Sequence, residues 1–136
     1  MDEKTRGRVE QFGKVGFDKA FPGIQLVEAQ GGRARVRLLV SPEVQNINGT
    51  LHGGAIATLV DNAGTMAIIS ADRDGRPGVT TDLNVSYFAP GTGGEHVVAE
   101  AQVLKTGKTL AFVTVDIRRE KDNVLVAQGR MTKYMA

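Results

Sequence analysis

The stretch GAIATLVDNAGTMAIISA, residues 54–71, decides the architecture. Ile56, Leu59, Val60, Ala63, Met66, Ala67 and Ile69 recur at helical spacing and cover more than one face, which predicts a helix buried on most sides. Asp72-Arg73-Asp74-Gly75-Arg76-Pro77-Gly78 then stops it. Beyond that stop the residues turn β-branched and alternating, and four strands are expected: Val79 to Phe88, His96 to Leu104, Thr109 to Arg119 and Val124 to Lys133. Their separators are short enough for a meander of antiparallel neighbours, with Gly91-Thr92-Gly93-Gly94 as a flexible connection.

Ahead of the helix, Leu26 to Ala29 and Arg33 to Leu38 predict a hairpin about a Gly31-Gly32 turn, its alternation putting three arginines on one wet face. Ser41, Pro42, Asn46, Asn48 and Gly49 mark a loop. Residues 2–17 predict a short helix with Val9, Phe12 and Phe17 on its apolar side. One apolar helix between a hairpin and four strands implies a single α+β domain over residues 1–136, an antiparallel sheet curled around the helix. A sheet face and an edge strand are left to cover, so a homo-oligomer is expected.

A chain of 136 residues has the size of one domain, which excludes a two-domain enzyme. The absence of cysteine removes disulfides, a thiol nucleophile and cysteine-rich zinc sites. His52 and His96 lie far apart, neither with a second histidine at ligand spacing, so no metal site is expected. Lys and Arg total 17 against 15 Asp and Glu, spread along the chain with 5% aromatic residues, which argues against nucleic acid and still suits an anionic small ligand. No stretch is read as the roughly 20 apolar residues of a bilayer span, so no membrane insertion is expected. Met1-Asp2-Glu3-Lys4 has neither the acid-poor start of a transit peptide nor a secretory apolar core. A cytoplasmic location is therefore expected, with a mitochondrial one left open.

The chemistry concentrates at Gln45-Asn46-Ile47-Asn48-Gly49-Thr50-Leu51-His52-Gly53-Gly54, which runs straight into the helix. A helix start leaves backbone N–H groups without partners, and with the helix dipole they can stabilise a carbonyl oxygen that is becoming negative. The same glycines also serve a mere tight turn. Asp61 follows Gly54 by seven residues, about 10 Å along the axis, and shares a polar stripe with Thr58, Asn62 and Thr65. It could act on water as a general base, attack as a nucleophile, or simply reach solvent at a subunit boundary. His52 could polarise a carbonyl or hold the loop by bonding the backbone, whereas His96 is read as a surface histidine. No G-x-S-x-G elbow surrounds Ser41, Ser70 or Ser86. The turn Lys105-Thr106-Gly107-Lys108-Thr109 offers cations, hydroxyls and N–H groups to phosphates.

In combination, Asn46 to Gly54, Leu59-Val60-Asp61-Asn62 and Lys105 to Phe112 resemble the hotdog-fold acyl-CoA thioesterases of the PaaI-like group, above all its small eukaryotic branch, over residues 44–134. The resemblance implies a helix wrapped by an antiparallel sheet and a tetramer built as a dimer of dimers. It also implies hydrolysis of medium to long fatty acyl-CoA, or aryl acyl-CoA, to free acid and CoA, without a cofactor beyond the CoA of the substrate. By that match Asn46 and Gly53 of one protomer face Asp61 and Thr80 of its partner. Asp61 activates water or attacks, the Gly53 N–H polarises the thioester carbonyl, and Asn46 and His52 orient the reacting groups. Thr80, where the branch commonly has serine, holds the water. Coenzyme contacts fall on Asp82, on Tyr87, Phe88, Ala89, Pro90, Gly91 and Thr92, on Lys105, Thr106, Gly107, Lys108, Thr109 and Leu110, and on Tyr134, where relatives carry histidine. The connection from Ala71 to Gly78 is one residue longer than the family's, and Asn48 replaces an apolar residue. Two other readings use the same scaffold: a 3-hydroxyacyl thioester dehydratase and a non-catalytic acyl-CoA binding module.

Overall fold

A computed structural model describes residues 3–136. The order of elements is α1 (Glu3–Gln11), a 3₁₀ turn (Gly16–Ala20), β1 (Gln25–Gln30), β2 (Arg33–Leu39), a 3₁₀ turn (Pro42–Val44), α2 (Gly53–Ala71), β3 (Val79–Tyr87), β4 (His96–Thr106), β5 (Leu110–Arg119) and β6 (Leu125–Tyr134). All six strands form one antiparallel sheet, and α2 lies against it in contact with every strand.

The long helix begins where His52 leaves helical space and its Nδ1 accepts the Gly54 N–H at 2.8 Å. It ends at Ala71 because Asp72 returns to extended backbone and its carboxylate collects the N–H groups of Asp74 and Arg76. Ten of its residues are buried, Val60, Ala63, Ala67 and Ile68 completely. Burying one Val or Leu side chain is worth about 1.5–3 kcal/mol, so this face anchors the domain. By length and composition alone α2 is apolar enough to cross a bilayer, contrary to the expectation from sequence. Here the sheet supplies its apolar surroundings.

Two glycines let helix and sheet approach closely. A Cβ on Gly129 of β6 would stand 2.5 Å from Val60 Cγ1, and one on Gly64 of α2 would stand 2.6 Å from Met131 Cε. On β2, Ala34, Val36 and Leu38 face the helix while Arg33 and Arg35 face outward and Arg37 pairs with Glu120, as the alternation predicts. Gly31 and Gly32, both at positive φ, make the β1–β2 turn.

Three expectations are corrected. The strand order is β1-β2-β4-β5-β6-β3, so the last four strands are no simple meander. Strand β3 pairs with β6 at the far edge, while β4 pairs with β2. Residues 88–95, which carry the chain between those places, are not a free link. They are pinned to the loop before α2 by Leu51 N–H to Gly91 O, Gly93 N–H to Gly49 O and the Thr50–Thr92 bridge. Nor is there one helix over 2–17, of which residue 2 lies outside the described residues. Helix α1 stops at Gln11, because Gly13 and Gly16 adopt positive φ and turn the chain into a 3₁₀ segment.

Candidate functional site

The loop before α2 is built around Asn46. Its Oδ1 accepts the N–H groups of Asn48 at 2.9 Å and Thr50 at 3.1 Å, and its Nδ2 donates to Thr50 Oγ1 at 2.8 Å. Backbone bonds from Asn46 N–H to Thr50 O and from His52 N–H to Val44 O close the turn. Asn46 thus organises the loop that aims the helix start. His52, by capping Gly54, uses Nδ1 as an acceptor, which fixes any ring proton on Nε2. Replacing His52 by Ala is expected to cost about 0.5–2 kcal/mol and by Asn only a small part of that, read by urea denaturation.

Capping leaves the Gly53 N–H without an acceptor among the described residues. Its carbonyl is held instead by the Tyr87 hydroxyl at 3.0 Å, and the Tyr87 ring lies across the glycine, 3.7 Å from where a Cβ would stand. Beside the cap, Phe17, Phe21, Val44, His52, Ala55 and Thr58 border a mostly apolar cavity of about 380 Å³.

Two turns along α2, Asp61 is half-buried. Its Oδ1 accepts from Thr80 Oγ1 at 3.0 Å and from Thr65 Oγ1 at 3.4 Å, while Oδ2 has no hydrogen-bond partner among the described residues. Thr65 in turn accepts from Lys133 Nζ at 2.7 Å. Lys133 is 4% exposed, and burial pushes its ammonium below the usual lysine range, a shift the nearby Asp61 charge opposes. Asn62 donates to Asp18 Oδ1 at 3.1 Å, which ties the 3₁₀ segment to the helix. A small cavity of about 180 Å³ opens among Asp18, Asp61, Thr65, Thr80 and Lys133, with Phe12 and Met66 as its apolar wall.

Of the residues expected from sequence, Asp61 and Thr80 therefore meet directly, and Asn46, His52 and Gly53 share one loop-to-helix corner. The two groups do not meet within the chain: Asp61 lies eight positions beyond Gly53 along the helix, about 12 Å of axis. The coenzyme set is divided likewise. Tyr87, Phe88, Ala89, Pro90, Gly91 and Thr92 adjoin the helix start, with Tyr87 and Phe88 exposed and Gly91 buried against Leu51. The exposed turn Lys105 to Leu110 lies with Tyr134 at the other end of the strands, where Val79, Leu110 and Tyr134 are register partners. Asp82 stands exposed on β3 between these ends, which are roughly 25 Å apart at about 3.3 Å per residue.

Lys133 was not singled out from sequence as a site residue. A signal existed, since Ala127, Gly129, Met131 and Lys133 alternate along β6 and that phase is the buried one. A lysine on an inward phase needs a partner, and only three-dimensional packing reveals which.

Residues 48–126 match the model of the Thioesterase superfamily. Acyl-coenzyme A thioesterase 13 of Homo sapiens is 46% identical over 119 residues, 88% of this chain and 84% of the relative. The crystal structure of zebra fish thioesterase superfamily member 2 superposes with a TM-score of 0.90 at 39% identity, over 97% of this chain and 98% of that one. The PaaI protein of E. coli, at 24% identity, shares the fold alone, with a TM-score of 0.85 over 98% of this chain and 94% of that one. The helix laid on a six-stranded antiparallel sheet is the hotdog fold, and with the match running from the end of the loop before α2 through the helix and strands β3, β4 and β5, the chain belongs to the thioesterase superfamily.

Proposed function

We propose that the protein hydrolyses acyl-CoA thioesters to free acid and CoA, with medium to long fatty acyl or aryl acyl chains as the substrate class and no cofactor beyond the CoA that the substrate carries. The observation that carries this reading is the Asp61 carboxylate, one oxygen held by two threonine hydroxyls and the other free. Its support from relatives is the 46% identity to a protein named acyl-coenzyme A thioesterase 13.

In this reading the free Asp61 oxygen takes a proton from water while the water oxygen attacks the thioester carbon, with Thr80 positioning the water as its hydroxyl exchanges partners. The carbonyl electron pair moves onto oxygen, where the unpartnered Gly53 N–H at a helix start stabilises it. The intermediate collapses, the C–S bond breaks and the CoA sulfur leaves with the proton. Direct attack by Asp61 followed by hydrolysis of the anhydride is the other route. Because 12 Å of helix separates donor from carboxylate, the donor comes from a second protomer, with Asn46 and His52 fixing its loop. The unpaired outer edge of β3 suits pairing with a second copy into a continuous sheet, and two such dimers form the tetramer. The split coenzyme set fits the same assembly, Lys105 and Lys108 meeting the CoA phosphates.

The test is a series of acyl-CoA chain lengths followed by a thiol reagent. The cysteine-free chain contributes no signal of its own, so all colour comes from released CoA. Turnover by a species of tetrameric mass is the expected result. CoA binding without thiol release would replace the reading by a binding module, and water loss from a 3-hydroxyacyl-CoA without thiol release by a dehydratase.

A further inference from the structure

Every other inward side chain of the last strand segment is apolar or absent: Ala127, Gly129 and Met131 on β6, then Met135 beyond it. Lys133, a residue only 4% exposed, breaks that phase, and the only hydrogen-bond partner of its ammonium among the described residues is Thr65 Oγ1. A buried cation is retained against its desolvation only where charge or hydrogen bonding compensates it. The charged groups facing it are Asp61 on α2 and Asp18 on the 3₁₀ segment, and Asp18 is already engaged by Asn62. From β3 and β5 its register partners, Thr80 and Ala111, bring no charge.

The direction of the bonds gives Lys133 a task. An ammonium only donates, so it occupies a lone pair of Thr65 and forces the single Thr65 proton elsewhere. The acceptor within reach is Asp61 Oδ1, at 3.4 Å, which also receives Thr80 at 3.0 Å. We propose that Lys133 is a positioning residue for the catalytic carboxylate: through Thr65 it loads Asp61 Oδ1 with a second donor and leaves Oδ2 as the one oxygen without a donor, turned toward the reaction. This rests on the reading of Asp61 as the base or nucleophile of thioester hydrolysis.

The test compares pH profiles of kcat and kcat/KM for acyl-CoA hydrolysis in the parent, Lys133→Met, Lys133→Arg and Thr65→Val, each checked for mass and circular dichroism. Removing the cation takes a positive charge and the anchor of the Thr65 donor away from the reacting carboxylate, so activity is lost at a higher pH. In Lys133→Met the acid limb moves up by about one unit and kcat at neutral pH falls about tenfold, with much of the loss recovered on the alkaline plateau and KM changed less than about twofold. Lys133→Arg keeps the limb near the parent position, and Thr65→Val, which retains the ammonium and the shape of the side chain, moves it part of the way. A folded Lys133→Met protein whose acid limb stays within about 0.2 unit, or whose activity falls equally at every pH, overturns the proposal and leaves a packing role. Should Lys133→Met not fold, Thr65→Val decides by the same criterion. An active Asp61→Asn protein instead removes the underlying reading. Inactive Asp61→Asn beside an unmoved Lys133→Met profile removes the lysine alone.

Discussion

An Asp61→Asn protein folds, assembles as the parent does, and hydrolyses acyl-CoA about 10²–10⁴-fold more slowly. The substitution is isosteric, and the amide oxygen still accepts from Thr80 and Thr65, so the packing of α2 against β3 is kept. What changes is the atom at Oδ2: an NH2 group donates hydrogen bonds and takes no proton from water. The loss therefore falls on kcat and kcat/KM together, with KM little altered, as for an interaction made only in the transition state. Thiol release at saturating substrate, with circular dichroism and light scattering as controls, measures it. Activity above about a tenth of the parent value in a folded protein would remove Asp61 from the chemistry.

The largest effect on stability is expected from Gly129→Val. Strand β6 passes beneath the helix at Val60, and a Cβ at residue 129 would stand 2.5 and 2.8 Å from the two Val60 methyl groups. Val60 is completely buried and, being β-branched within a helix, has essentially one rotamer, so it cannot step aside. The helix must lift from the sheet instead. Overpacking of this kind costs about 1–3 kcal/mol for the first added methyl in Gly129→Ala, and Gly129→Val exceeds it. Tm is then expected to drop by roughly 5–15 °C in a thermal melt. Gly7→Ala is the matching control. It sits in α1 with nothing within 4 Å of its added Cβ, and gains about 1 kcal/mol of helix propensity. A Gly129→Val protein melting like the parent would show that the close approach is soft. Because Val60 directly precedes Asp61, the lifted helix also slackens the contact to Thr80, and turnover falls beyond what unfolding explains.

The contrast between residues 54–71 and residues 88–95 shows what local pattern can and cannot reveal. Ile56, Leu59, Val60 and Ala63 carry the helical period in their own order along the chain, and the helix was legible to within one residue at its start. The arginine alternation in β2 was legible for the same reason. Strand order was not. The pairing of Val79 with Tyr134 joins residues 55 positions apart, and nothing local in either strand encodes it. The glycines at 91–94 read as slack, although Gly93 is wedged against Gly49 O and Gln45, contacts that exist only once the loop before α2 is in place. Gly13 and Gly16 did carry a local signal, but the positive φ that ends α1 belongs to the fold and not to the residue type, since glycine also tolerates helix. At the site, the corner from Asn46 to Gly54 and the position of Asp61 were readable as motif and stripe. The relay from Lys133 through Thr65 was hidden because its members come from α2 and β6, brought together by the packing of the helix on the sheet, while Thr80 joins them through the outermost pairing of β3 with β6.

That outermost pairing also dictates when the site can come into being. Among the described residues β3 hydrogen-bonds to β6 and to no other strand of its own chain, and β6 leaves the ribosome after the other five strands. A nascent chain therefore carries the finished α2, Asp61 included, for some sixty residues of synthesis before Thr80 can be clamped and Lys133 delivered, about three to twelve seconds at ordinary elongation speeds. Throughout that interval β3 trails unzipped, a tacky ribbon at risk of joining a neighbouring nascent chain, and the carboxylate, with only Thr65 of its own helix beside it, acquires Thr80 and Lys133 in the closing step of folding.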